Sequence, residues 1–299
     1  MQKVWRLKQV IKLFLPPLFI SVGKFIINGF TGLTSSEWEY VPEQWARAKR
    51  DPKIKGWNVQ AVLDAYINKW PAFVESLNST YPLGLSPEAD PSQKLDLSSH
   101  NISMTYGYTL ALAAQHKTQI QMLDWGGGIG HYYLIGQKLL PNVQIDYHCK
   151  DLPLLAEYGQ KLFPEAHFYV DDSWRNRQYD FVLASSSLQY SEDWKKSFAQ
   201  LAECTADYLF VTRLPVVHHV PSYVMVQRPY QYGYDTEYLG WCINRTEIID
   251  YSRTLGLELV REFVIEYPPV IQGAPEQCDY WGFLFRKPNL ADEIKPPIV

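Results

Sequence analysis

An acidic residue followed by a glycine at every second position, Asp124, Gly126, Gly128 and Gly130, is the pattern in this 299-residue chain with the clearest chemical meaning. Gly127 makes three consecutive glycines, a short apolar run at 120–123 precedes them, and Ile129, Tyr132, Tyr133 and Gly136 continue at helical spacing. The order is therefore strand, tight turn, helix. Glycine admits positive φ and lets a ligand approach the backbone, while the first turn of the helix offers free N–H groups. The stretch predicts a nucleotide-like ligand.

The spacing narrows the choice. A dinucleotide fingerprint needs a third glycine where His131 stands, and no Gly-Lys-Ser/Thr follows to make a phosphate loop. The Asp-x-Gly-x-Gly-x-Gly pattern resembles motif I of class I S-adenosylmethionine-dependent methyltransferases. That resemblance implies S-adenosyl-L-methionine as cofactor, with Asp124, Gly126, Gly128 and Gly130 beneath its amino-acid part.

The elements that must position the turn alternate regularly from about residue 96 onward. A helix at 98–117 leads into the glycine-bearing strand, followed by strands at 143–149, 166–170, 179–185 and 208–212 with helices at 153–163 and 194–203 between them. The run at 179–185 is almost uniformly apolar, as expected of a strand covered on both faces. Asn244 with Glu247 three residues on opens a helix that Gly256 ends, a half-exposed strand alternates through 257–266, and 279–286 closes the sheet. The expected fold is α/β: a mostly parallel seven-stranded, Rossmann-like sheet with helices on both faces and an antiparallel final pair, the class I methyltransferase arrangement.

Ligands of such sheets lie at the carboxyl ends of the strands. Asp151 follows the second strand at a distance suited to both ribose hydroxyls, although it could equally cap the helix that starts at Pro153. Asp171 and Asp172 follow the third strand, where this class often places an acid against the adenine amino group. Ser185, Ser186, Ser187 and Tyr190 follow the fourth, with Ser186 expected at the cofactor. The Asn/Asp-Pro-Pro-Tyr signature of amino-group methyltransferases of nucleic acids is missing there. Together with a net charge of −4, this argues against a nucleic-acid partner.

The stretches around 123–133, 183–190, 210–215 and 227–238 resemble a narrower family, bacterial methyltransferases found among surface-polysaccharide biosynthesis genes. The resemblance spans residues 30–288 and implies a glycan or glycolipid acceptor. The connection at 214–242 is long and aromatic, with Tyr223, Tyr230, Tyr232, Tyr234, Tyr238 and Trp241, and reads as an acceptor-binding lid. Methyl transfer to a hydroxyl needs a base, for which His218, His219, His131 and Tyr190 are the candidates. Adjacent histidines do not face one ion on a helix and no His-Glu-x-x-His occurs, so no metal is expected.

The remaining chain supplies appendages. Residues 1–30 carry Lys3, Arg6, Lys8, Lys12 and Lys24 and an apolar stretch at 13–23 broken by Pro16 and Pro17, which suits peripheral attachment at the inner face of the cytoplasmic membrane, or a helix docked on the protein's own core, and not a span. Residues 31–97 read as a helical cap, with Asn58 capping a helix at 59–69 and Trp38, Trp45, Trp57 and Trp70 packing it. Residues 98–288 form the core and 289–299 a tail. The four cysteines have no paired spacing and read as buried thiols of a reducing compartment. Two other readings remain open: a methyltransferase of a small soluble metabolite, and a non-catalytic cofactor-binding scaffold protein.

Overall fold

The computed structural model describes residues 36–80, 82–83, 97–266 and 269–288. The expected membrane-interface segment at 1–30, most of the loop at 81–93 and the tail at 289–299 lie outside the described residues. Among the described residues no helix is long and apolar enough to cross a membrane.

The central sheet runs in the order β4 (His167–Tyr169), β3 (Gln144–Lys150), β2 (Gln119–Trp125), β5 (Tyr179–Ser185), β6 (Thr205–Val217), all parallel. Strand β11 (Asp279–Arg286) then pairs antiparallel with β6, and β9 (Glu258–Glu266) antiparallel with β11. This is the class I methyltransferase-like α/β arrangement with its antiparallel edge.

Alternation along each strand sorts side chains to two faces. Phe181 and Leu183 of β5 join Ile120, Met122 and Phe210 in one apolar layer, under α3 (Leu97–Ala113) and α4 (His131–Leu139). Val182 and Ala184 join Leu123, Leu209 and Val211 in the other, under α6 (Trp194–Cys204) and α7 (Arg245–Thr254). Strand β5 is covered on both faces, which is why it reads as continuous apolar sequence.

The sheet is larger than expected. Among the described residues eleven strands, not seven, share one hydrogen-bonded network. The 214–242 stretch is not one long connection: it completes β6 and forms β7 (Tyr223–Gln227) and most of β8 (Tyr238–Asn244), an antiparallel pair. Strand β8 joins the end of β6 at Val216 and Val217. Strand β1 (Trp38–Val41) then pairs antiparallel with β7, and β10 (Ile271–Gln272) parallel with β1. The all-helical cap is thereby corrected, since its first element is a strand. After the single turn α1 (Trp45–Ala48), the 19-residue helix α2 (Gln60–Asn78) runs through Pro71 without ending. Its buried Val62, Leu63, Tyr66 and Phe73 face the glycine turn side of the core. Asn58 does not cap this helix; its side chain accepts the Leu154 N–H instead. Asn244 caps α7 as expected, accepting from the Thr246 and Glu247 amides. The four cysteines are free and buried.

Candidate functional site

Helix α5 (Pro153–Leu162) follows β3, and a 330 Å³ cavity opens where the carboxyl ends of β2, β3, β5 and β6 meet helix α2. Its floor is the glycine turn. Gly126, Gly128 and Gly130 have φ of 77°, 63° and 101°, values that side-chain-bearing residues rarely adopt. A Cβ on Gly126 would stand 2.4 Å from the Ser187 Cβ, and one on Gly130 2.8 Å from the Phe163 ring. A Cβ on Gly128 would meet the Tyr66 ring at 3.1 Å. Gly126, Gly127 and Gly128 line the cavity, whereas Gly130 serves the packing of α4.

Asp124 lies behind this turn and not in the cavity. It shares the face of Ile120 and Met122 on β2, is fully buried, and accepts the Tyr147 hydroxyl at 2.6 Å on Oδ2. Its Oδ1 has no hydrogen-bond partner among the described residues. Burial pushes its pKa up to about 7. Any side chain on Gly127 would collide with this carboxyl. Asp124 therefore supports the turn from beneath, and the expected direct cofactor contact is corrected.

Asp151 lines the cavity, with Oδ2 accepting the Gly128 N–H at 2.6 Å and Oδ1 the Leu152 N–H at 2.6 Å. Burial raises its pKa to about 6 against the opposing pull of these two amides. Each oxygen retains acceptor capacity, so a diol can still be held. Asp171 and Asp172 do not reach the cavity: both are exposed, and Asp171 accepts from the amide and hydroxyl of Ser173 to shape a local turn. The adenine expectation is corrected for both.

The segment after β5 forms the opposite wall. Ser186 takes φ 51°, donates its N–H to the Thr212 carbonyl and lines the cavity. Ser187 donates its hydroxyl to the Trp125 carbonyl at 2.7 Å, tying this wall to the strand before the glycine turn. Arg213, also in the left-handed region at φ 53°, lines the cavity as well.

A second cavity of 370 Å³ adjoins the first, sharing Trp57, Ser186, Tyr190 and Arg213 with it. The 214–242 stretch contributes Gln227, Tyr232, Tyr234 and Tyr238 to its walls, as strand and turn. Trp57 stacks on Tyr238 with ring centroids 4.1 Å apart. Along this cavity the Tyr190 hydroxyl donates to Gln227 Oε1 at 3.0 Å, and Gln227 Nε2 donates to Glu37 Oε1 at 3.0 Å. Burial raises the Glu37 pKa, against which the Gln227 hydrogen bond acts.

Of the four candidate bases, Tyr190 alone stands where both cavities meet. His131 borders the first cavity, but its ring sits among Tyr66, Trp70 and Phe73, and burial lowers its pKa to about 3. A group so weakly basic is a poor proton acceptor near neutrality. His218 and His219 line neither cavity; their amides donate to the Glu276 carboxylate, and the His218 ring lies 3.6 Å from an Asp279 oxygen. Sequence reasoning missed Trp57, Tyr66, Phe73, Glu37, Gln227 and Arg213. Only the density of aromatic residues in 38–73 signalled the first three.

No family model matches the sequence, and no curated protein matches it. Solved structures that resemble the chain include a protein from Galdieria sulphuraria provisionally named a sarcosine dimethylglycine methyltransferase (15% identity, 75% of this chain and 98% of that one, TM-score 0.49). Another is magnesium protoporphyrin IX methyltransferase from Synechocystis, crystallised with S-adenosylmethionine (13% identity, 77% and 100%, TM-score 0.43). A third is 1,6-didemethyltoxoflavin-N1-methyltransferase from Burkholderia thailandensis with S-adenosylhomocysteine (11% identity, 79% and 94%, TM-score 0.45). At this level of likeness they identify no reaction for this chain.

Proposed function

We propose that the protein is an S-adenosyl-L-methionine-dependent methyltransferase that methylates a hydroxyl of a glycan or glycolipid. The observation that carries this reading is the glycine-floored cavity opening through Ser186, Tyr190 and Arg213 into a second, aromatic one. A cofactor fits the first: the turn has glycine where a Cβ would close it, and an acid stands at the adjacent strand end. Gly126 to Gly128 would hold the amino-acid part and Asp151 the ribose. When bound, the cofactor supplies an electrophilic methyl group.

The chain's own residues then have three tasks. Tyr66 and Phe73 of α2 roof the first cavity and exclude water, which strengthens every polar contact within it. Trp57 and Tyr238, stacked on one another, help line the second cavity, while Glu37, Gln227 and Arg213 provide hydrogen-bonding groups. Aromatic faces beside polar groups suit a sugar ring, which has both apolar and hydroxyl-bearing surfaces. The Tyr190–Gln227–Glu37 chain can orient an acceptor hydroxyl, and Glu37, with its raised pKa, can take its proton. The basic, apolar first 30 residues support an acceptor met at the inner membrane face.

Calorimetry of the full chain with S-adenosylmethionine and with NAD tests the reading. One site for the first and none for the second is the expected result. Absence of S-adenosylmethionine binding to folded protein would overturn it. Mass spectrometry of surface glycan from a deletion strain then tests the acceptor through loss of a methyl group.

A further inference from the structure

Strand β3 carries Asp146 and His148 two residues apart, so both side chains leave the same face, away from Tyr147. Strand β4 pairs with it in parallel, and the register sets His167 directly beside His148. These three residues are the one group among the described residues whose potential ligand atoms, two imidazole nitrogens and a carboxylate oxygen, all lie within 4.8 Å of one another. We propose that Asp146, His148 and His167 form a binding site for a transition-metal ion, of which zinc is the representative, at the β3–β4 edge of the sheet.

The two distances from the carboxylate fit an ion. Asp146 Oδ1 lies 3.2 Å from His148 Nε2 and 3.6 Å from His167 Nε2. Tetrahedral ligands at zinc bond lengths stand about 3.3–3.5 Å from one another. The His148 side chain is fully buried, yet its Nε2 has no hydrogen-bond partner, because the approach to Asp146 lacks the alignment of an N–H···O bond. A buried imidazole nitrogen left without a partner is costly. An ion would satisfy it.

The surroundings are those of a ligand. His148 Nδ1 lies 2.8 Å from the Tyr169 hydroxyl, and donation from Nδ1 leaves the Nε2 lone pair facing Asp146 and His167. The two imidazoles stack 4.6 Å apart at 18°, so the half-exposed His167 ring has to turn out of the stack to aim its Nε2 at an ion shared with His148. His167 is half exposed and Asp146 a quarter exposed, so an ion can enter and keep water in its open positions. The donor set chooses the metal. Two imidazoles and one carboxylate, with the Arg177 guanidinium against the Tyr169 hydroxyl, carry too little negative charge for calcium or magnesium and suit zinc, nickel or copper.

None of the three residues lines either cavity, so the site acts on the fold and not on the transferred group. An ion there would clamp β3 to the three-residue strand β4 just before Asp151, whose amide donates to the Tyr169 carbonyl at 3.2 Å. The inference is independent of the reaction proposed above.

The test uses the full chain, stripped with a chelator and titrated with ZnCl2 against a chromophoric competitor, alongside His167→Ala, Asp146→Asn and, as a control, His219→Ala. His167 is half exposed, so its replacement leaves the core intact, which circular dichroism checks. Expected are one equivalent of zinc on the wild type, a loss of at least about tenfold in affinity in His167→Ala and Asp146→Asn, and none in His219→Ala. Zinc should also raise the melting temperature of the wild type and leave that of His167→Ala unmoved. Failure of the folded wild type to bind zinc overturns the proposal. So does an affinity that His167→Ala leaves unchanged.

Discussion

The Asp151 carboxylate accepts the Gly128 N–H at 2.6 Å, so the acid at the end of β3 and the glycine turn after β2 are one hydrogen-bonded unit. Burial holds the Asp151 pKa at about 6, above the usual carboxylate range. Holding a ribose diol favours the ionised form, so cofactor affinity should fall as pH drops through about 6 and level off above 7. Asp151→Asn should bind more weakly and lose this dependence, while Asp151→Ala should cost about 1–3 kcal/mol. Calorimetry between pH 5 and 8 checks both. An unchanged pH profile in Asp151→Asn would remove the residue from the cofactor site.

Asp124 makes a stability prediction. Its carboxyl titrates near the ordinary 3.8 when unfolded and at about 7 when folded, because burial disfavours the charge. The folded state therefore holds the proton more tightly. The contribution is fully present below about pH 4 and is lost as pH rises through 7, with an upper bound of about 4 kcal/mol. Urea unfolding at pH 5 and pH 8 should show Asp124→Asn gaining on the wild type at the higher pH. A difference independent of pH would mean that Asp124 is not the titrating group.

Gly126→Ala should weaken cofactor binding by disturbing the wall opposite. The new Cβ would stand 2.4 Å from the Ser187 Cβ at a φ of 77°, so Ser187 must move and its bond to the Trp125 carbonyl with it. Strain and displacement together cost about 1–3 kcal/mol. Gly233→Ala is the comparison: its φ is 84° but nothing lies within 4 Å, so it bears backbone strain alone. Equal effects of the two on affinity would refute the steric argument.

Tyr190→Phe removes the hydroxyl that Gln227 accepts while keeping the ring beside Trp57 and Tyr238. Cofactor affinity should hold and methyl transfer should slow by about 10²-fold, the scale of a lost proton-transfer arrangement. Glu37→Gln should do the same. Transfer of labelled methyl to glycan extract measures it, and full activity in both variants would discard these roles for Tyr190 and Glu37.

Deleting residues 1–28 should move the protein from the membrane fraction to the soluble one with cofactor binding intact. Five positive charges contribute about 1 kcal/mol each at an anionic leaflet, and the apolar 13–23 stretch adds burial. High salt should weaken the attachment of the full chain. Full-length protein that stays soluble at low salt would end the membrane reading.

Much of the core was legible because its signals are local. Strand β5 showed its double coverage as unbroken apolar sequence, and Asn244 announced α7 through an acceptor matched to the free amides of a helix start. Strands β1, β7 and β8 were not legible. The stretch 223–227 is wholly buried, so it shows no alternation, and its aromatic neighbours read as a lid. Strand β1 pairs with β10, more than 200 residues away in the chain, and nothing in four residues records such a partner.

The glycines at 126, 128 and 130 were determined by sequence alone, since positive φ and the exclusion of a Cβ are properties of single positions. The roles of the acids were not. Asp124, Asp151, Asp171 and Asp172 are chemically alike, and only the direction of each side chain from its strand or turn decides which one faces the cavity. Register decided the rest. It set His167 beside His148 and Gln227 opposite Trp38, because hydrogen-bonded strands bring together residues whose separation along the chain carries no information about their distance in space.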